Sequence, residues 1–243
     1  MSSMYEPPTT PEAPEHPEFT PVHAVAWVMS AFFVLVFASG LLFSVRPNVE
    51  GDLVSLGALS AAVFLLMSAL LLGKYPGGSR FGASVGLRPV SPIFVVLALV
   101  IGVTIQVPAD RLRIWIEGFA PLTKEETAAR LGVLVPESAV HAGFMFAVAV
   151  ILVPLAEEIF FRGAVFGALR RSGRSGAVAA VITGIGFTLC HFDPRLWIAI
   201  LLVAAILGLL RATSGSLWPS LAAHVGFNAV TIVGAIFAWK TKT

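Results

Sequence analysis

Formal charge is scarce in this chain. Lys, Arg, Asp and Glu together make up 12% of its 243 residues, against about 25% in an ordinary soluble domain. With 57% hydrophobic residues and a mean hydropathy of +0.88, that shortage excludes a soluble globular fold and marks an integral membrane protein. The net charge of +2 is too small to suggest a nucleic-acid partner. Cysteine is scarcer still. The single Cys190 excludes an intrachain disulfide and a Cys-based zinc cluster. No His-Glu-x-x-His occurs, which argues against the common helical zinc motif, and the one Gly-x-Ser-x-Gly match, Gly82-Ala83-Ser84-Val85-Gly86, falls in the Gly-rich basic loop 74–91. The first twenty residues hold no Lys or Arg and are rich in Pro and Glu. They lack the positive start of a signal peptide, and residues 1–20 read as a disordered tail.

What is abundant is long apolar runs. At about 20 residues per crossing they divide into seven expected spans: Val22–Val45, Leu53–Gly73, Pro92–Val107, His141–Leu169, Ala177–His191, Trp197–Leu210 and Leu217–Trp239. The fold class is all-α, a polytopic transmembrane helical bundle. It divides into N-terminal spans over 21–107, a connector over 108–140 and a core over 141–240. The connector mixes charges of both signs with Leu, Ile, Trp and Phe, as amphipathic interfacial helices do; a solvated linker is the plainer reading. Thr123-Lys124-Glu125-Glu126 has the form of a helix start, with acids in the first turn. Trp197, Trp218 and Trp239 fall at span ends, where interfacial anchors belong. The basic loops 74–91 and 170–176 then share one side, read as cytoplasmic, with the N-terminus inside.

Against this background one stretch stands out: Val153-Pro154-Leu155-Ala156-Glu157-Glu158-Ile159-Phe160-Phe161-Arg162. A charge at the centre of a bilayer costs at least ~2.5–3.5 kcal/mol, and here three lie close together. Glu158 and Arg162 are at i and i+4, so they share a helical face and can pair. Glu157 lies about 100° away and is left for chemistry. Pro154 removes a backbone hydrogen bond just before the acids and loosens the helix there. Gly163 and Gly167 form a small-xxx-small pair suited to close packing.

Further polar residues lie in the later spans. His191 follows Phe187 by four, and His224 and Asn228 are likewise four apart. A Glu with a His can take a proton from water. A second His and an Asn can donate to a developing oxyanion. Alternatively Glu157, His191 and His224 form a His₂-carboxylate set for a divalent metal such as zinc, the metalloprotease reading. Cys190, His16, His23 and His141 read as non-catalytic.

The three patterns Glu157-Glu158-x-x-x-Arg162, Phe187-x-x-x-His191 and His224-x-x-x-Asn228 resemble, in this order, the motifs of the CAAX protease and bacteriocin-processing (CPBP) family. That family of intramembrane proteases includes prenyl-protein endopeptidases and abortive-infection proteins. The resemblance covers residues 141–239. It implies a helical core with the motifs on the last four spans around a shared cavity. It also implies an intramembrane endopeptidase acting on a membrane-associated protein or peptide, in anchor processing, peptide maturation or immunity. Glu157 and His191 would activate water, His224 and Asn228 would stabilise the oxyanion, and Glu158, Arg162 and Phe187 would support them. Both a metal and a metal-free glutamate mechanism are consistent with the resemblance. The bacterial relatives imply a bacterial inner (cytoplasmic) membrane. A non-catalytic scaffold or immunity protein of the same fold is the alternative, and a transporter fits poorly, because no internal repeat is visible.

Overall fold

The computed structural model describes residues 18–46, 52–77 and 80–241. Most of the expected N-terminal tail, residues 1–17 with His16, lies outside the described residues. Among these residues there is no strand, and six helices are long and apolar enough to cross a membrane. The first two are α1 (Pro21–Val45) and α2 (Leu53–Lys74). A short α3 (Phe81–Val85) follows. The third span joins α4 (Pro92–Thr104) to α5 (Gln106–Glu117), so helix continues to Glu117 rather than stopping at Val107. The amphipathic α6 (Lys124–Gly132) starts at a Thr123 cap whose partner is Glu126, the reciprocal arrangement the sequence signalled. The fourth span runs from α7 (Ala139–Phe146) through α8 (Val153–Glu158) to α9 (Phe166–Arg171). The fifth expected span, α10 (Gly176–Leu189), is only 14 residues long and is flanked by turns. It is followed by α11 (Trp197–Ser214) and α12 (Leu217–Lys240).

Helix ends are set by side chains. Asp52, Ser138, Ser175 and Ser216 each accept a backbone N–H at the start of α2, α7, α10 and α12, satisfying donors that a helix leaves unpaired. His23 and His141 serve the same ends. His23 closes the cap of α1 with Thr20, and His141 accepts from the Glu137 N–H. Neither belongs to the cluster built below.

Small residues set how close the helices come. A Cβ on Gly102 of α4 would collide with the Ala223 carbonyl of α12, and one on Gly226 would lie 2.6 Å from the Leu99 carbonyl. The two glycines thus let these backbones touch. Without a hydrophobic force between helices in lipid, such close approach is what holds them. Gly208 of α11 meets Ala180 of α10 in the same manner. Gly163 and Gly167 also mark close packing, but the neighbour is Val85 of α3 and the Ser84 carbonyl, not another span.

The fourth span is the irregular one. Two π-helical segments, Ala147–Leu152 and Ile159–Val165, flank α8, with Pro154 between them. A π turn shifts hydrogen bonding to i→i+5 and leaves carbonyls open to other donors; such turns recur at functional sites. Both are met from neighbouring spans. Asn228 Nδ2 of α12 donates to the Ala149 carbonyl at 2.8 Å, and Arg211 Nε of α11 donates to the Arg162 carbonyl at 2.9 Å.

Candidate intramembrane site

The carboxylates arrive on α8, at the core of the largest buried cluster, where Ala156, Phe160 and Phe161 are fully enclosed. Glu158 and Arg162 pair as their spacing requires: Arg162 Nη1 donates to Glu158 Oε1 at 2.9 Å, with both side chains completely buried. Arg162 Nη2 also donates to the Ala204 carbonyl. Glu157 turns away from this pair, as the 100° step demands.

His224 links the two acids. Its Nδ1 lies 3.2 Å from Glu158 Oε1 and its Nε2 lies 3.5 Å from Glu157 Oε2. Counting Glu158 as an anion and Arg162 as a cation leaves one proton for Glu157 and His224 to share. The cluster is then neutral whether that proton rests on the imidazole or on the carboxylate, the condition a set of charges must meet to remain buried.

Phe187 is the hub. Its ring centroid lies 4.8 Å from that of His191 and 5.6 Å from that of His224. The Arg162 guanidinium lies over its face at 4.6 Å, a cation–π contact of value where water is absent. The Phe187 carbonyl accepts from His191 Nδ1 at 2.9 Å, which fixes the tautomer and leaves Nε2 open. Trp197 Nε1 donates to the His191 carbonyl at 2.7 Å and holds the loop from the other side.

Glu157 and His191 meet in one cavity of about 760 Å³ between α1, α2 and the loop after α10. Its walls are apolar, with Leu35, Phe43, Leu56 and Phe64 among them. Cys190 lines it too, so the residue set aside from sequence borders the cavity, although its position beside His191 was visible. His224 lies behind Glu157 and does not line the cavity. Asn228, whose amide is spent in part on the Ala149 carbonyl, does not line it either. Arg211, 7% exposed and tied to the backbone of Arg162, was missed; an arginine just inside the end of an apolar run was its signal.

The metal reading finds no donor set. Both His224 nitrogens face carboxylates, and among the described residues no three His, Cys, Asp or Glu side chains are grouped as ligands.

Six long apolar helices around a buried carboxylate–imidazole centre support an integral membrane protein. Residues 139–230 match the family model described as Rce1-like, type II CAAX prenyl endopeptidase Rce1-like. This segment contains all three motifs, and the match supports the resemblance to the CAAX protease (CPBP) family. The kind of function this match supports is that of a CAAX-type intramembrane protease. Neither the curated proteins nor the solved structures include a match.

Proposed function

We propose that this protein is an endopeptidase that hydrolyses a peptide bond in a membrane-associated protein or peptide, without a metal, in the cavity between α1 and α2. The observation that carries the reading is the opening of Glu157 and His191 into one apolar space. Water held between the Glu157 carboxylate and the open His191 Nε2 attacks the scissile carbonyl carbon. Its proton passes to Glu157 as general base, a step that typically contributes ~10²–10⁴-fold. His224 and Asn228 lie outside this cavity, so His224 acts by holding Glu157 in place and Asn228 by holding the Ala149 carbonyl, rather than as oxyanion donors. Collapse of the tetrahedral intermediate breaks the C–N bond, and the proton held by Glu157 goes to the departing amine. The bacterial inner membrane fits this reading through the bacterial relatives that the motifs resemble.

The test is release of new peptide termini when the purified protein is reconstituted with membranes from cells lacking it. Wild-type protein, with or without chelator, is expected to generate termini that Glu157→Gln and His191→Ala do not. Loss of those termini on chelation would overturn the metal-free mechanism. Identical termini from wild type and Glu157→Gln would overturn the protease reading.

A further inference from the structure

The two ends of the bundle differ in how their cations are used. At the end where α2, α9 and α11 finish and α4, α10 and α12 begin, the described cations are Lys74, Arg80, Arg88, Arg170, Arg171, Arg174 and Arg211, and the only acid is Glu18. At the other end three arginines, Arg113, Arg130 and Arg195, are matched. Arg113 and Arg130 both pair with Glu117, Arg130 also pairs with Asp193, and Arg195 pairs with Asp193 and Glu126.

Several cations of the first end are occupied. Arg171 donates to the Ser84 and Tyr75 carbonyls, Arg174 lies 3.6 Å from Glu18, and Arg170 gives Nη1 to the Arg174 carbonyl at 2.6 Å while its other nitrogens carry no hydrogen bond among the described residues. Arg211 is the exception. It is more than nine-tenths buried, its Nε is bonded to the Arg162 carbonyl, and its guanidinium stacks on the Phe166 ring at 4.9 Å. No carboxylate is paired with it among the described residues, and its two terminal nitrogens have no hydrogen-bond partner there. Nη2 lies against Gly86, where a Cβ would collide with it and where φ is +80°. Both features favour glycine. The Gly86–Arg88 turn is itself fixed: the Leu217 N–H donates to the Gly86 carbonyl at 2.9 Å, and Ser216 Oγ donates to the Arg88 carbonyl at 2.7 Å. Arg88 belongs to this same turn, and Arg170 stands one helical turn beyond Phe166, the ring that Arg211 covers; both are exposed. Three guanidiniums therefore gather beside a rigid turn, and the one carboxylate that acts on Arg211 from a distance, Glu158, is already paired with Arg162. Arg211 lies three residues inside the end of α11, about 4.5 Å along the axis, and the neighbouring Trp218 is 45% exposed. That is the depth of lipid headgroups.

We propose that Arg211, Arg88 and Arg170 form a binding site for a phosphate group, supplied by an anionic phospholipid of the leaflet in which this end of the protein sits. Arg presents paired donors that match phosphate oxygens, and basic pockets between spans at the inner face suit such headgroups. Because Arg211 also holds the π turn at Arg162, an occupied site braces the span that carries the carboxylates. The proposal does not depend on the proteolytic reading.

The experiment uses the full chain in a neutral detergent. Its melting temperature is followed during titration with short-chain phosphatidylglycerol, with short-chain phosphatidylcholine, or with inorganic phosphate. Phosphatidylglycerol is expected to raise the melting temperature at lower concentration than phosphatidylcholine. The Arg88→Gln/Arg170→Gln protein, altered only at exposed positions, is expected to need about tenfold more for each guanidinium lost. Lys74→Gln/Arg80→Gln, which removes charge from the same end but not from the site, should titrate as wild type. A full shift with inorganic phosphate alone would assign the site to free phosphate, and no shift with it would assign the site to lipid. The proposal is overturned if the Arg88/Arg170 variant titrates as wild type, if the Lys74/Arg80 control weakens equally, or if neither phosphate source shifts the wild type.

Discussion

Arg162 donates to Glu158 at 2.9 Å inside the fourth span, and neither side chain has any exposed surface. Removing one partner of such a pair strands a buried charge, at a typical cost of about 3–5 kcal/mol. Arg162→Met is therefore expected to lower the melting temperature sharply or to prevent accumulation. Arg80→Met, at an exposed position, should do neither. Equal melting temperatures of Arg162→Met and wild type would show that the pair is not structural.

Glu157 is expected to behave in the opposite way. Its carboxylate opens on the cavity and its nearest ionisable neighbour is His224 at 3.5 Å. Glu157→Gln keeps size and hydrogen-bonding capacity, so the folded protein should persist while cleavage falls by about 10²-fold or more. Melting temperature and cleavage rate measured on one preparation separate the two effects.

Gly102 is a third site with a definite sign. A side chain there has no room against the Ala223 carbonyl, and backbone cannot rotate aside as a flexible side chain can. Gly102→Val should destabilise by about 3 kcal/mol or more, read as lost yield and lower melting temperature. Gly143→Ala, where an added Cβ meets nothing within 4 Å, is the control and should be tolerated.

The ion pairs between α6 and the His191 loop predict a pH dependence. Burial pushes the Asp193 carboxyl up, but hydrogen bonds from Arg195 and the charges of Arg195 and Arg130 outweigh it and hold the group below its usual 3.8. The Arg195 side chain, and then the Thr123 N–H, hold Glu126 below its usual 4.5. A lowered value in the folded state means that the contribution is fully present above the unfolded values and is lost as pH falls through the folded ones. Release of α6 is thus expected below about pH 4 and not between pH 5 and 8. A spin label at position 128 on α6, in a protein with Cys190→Ala, should become mobile in that acid range. Asp193→Asn should be looser already at neutral pH. Mobility that changes around pH 7 instead would contradict this account.

How much of this was legible depended on how local the interaction is. The spans and the Glu158–Arg162 pair follow from periodicity and from an i, i+4 spacing, so they could be read directly. Two of the three motifs could be placed on helices for the same reason; His191, expected inside the fifth span, lies in the loop after α10 because that helix stops at Leu189. The π turns around α8 could not, because their freed carbonyls are satisfied by Asn228 and Arg211 from spans distant in the chain. The contact of α4 with α12 was hidden likewise, since Gly102 and Gly226 acquire meaning only once they face each other's helix. Asn228 was read by its motif as an oxyanion donor, whereas its bond to Ala149 gives it a task that spacing does not reveal.

The most direct test of the central claim is a comparison of peptide termini in membrane and secreted proteins from cells expressing wild type or Glu157→Gln at equal protein levels. The account predicts at least one terminus present only with wild type, with the uncleaved segment recovered from the variant. Identical termini in the two, with the variant folded and abundant, would contradict it.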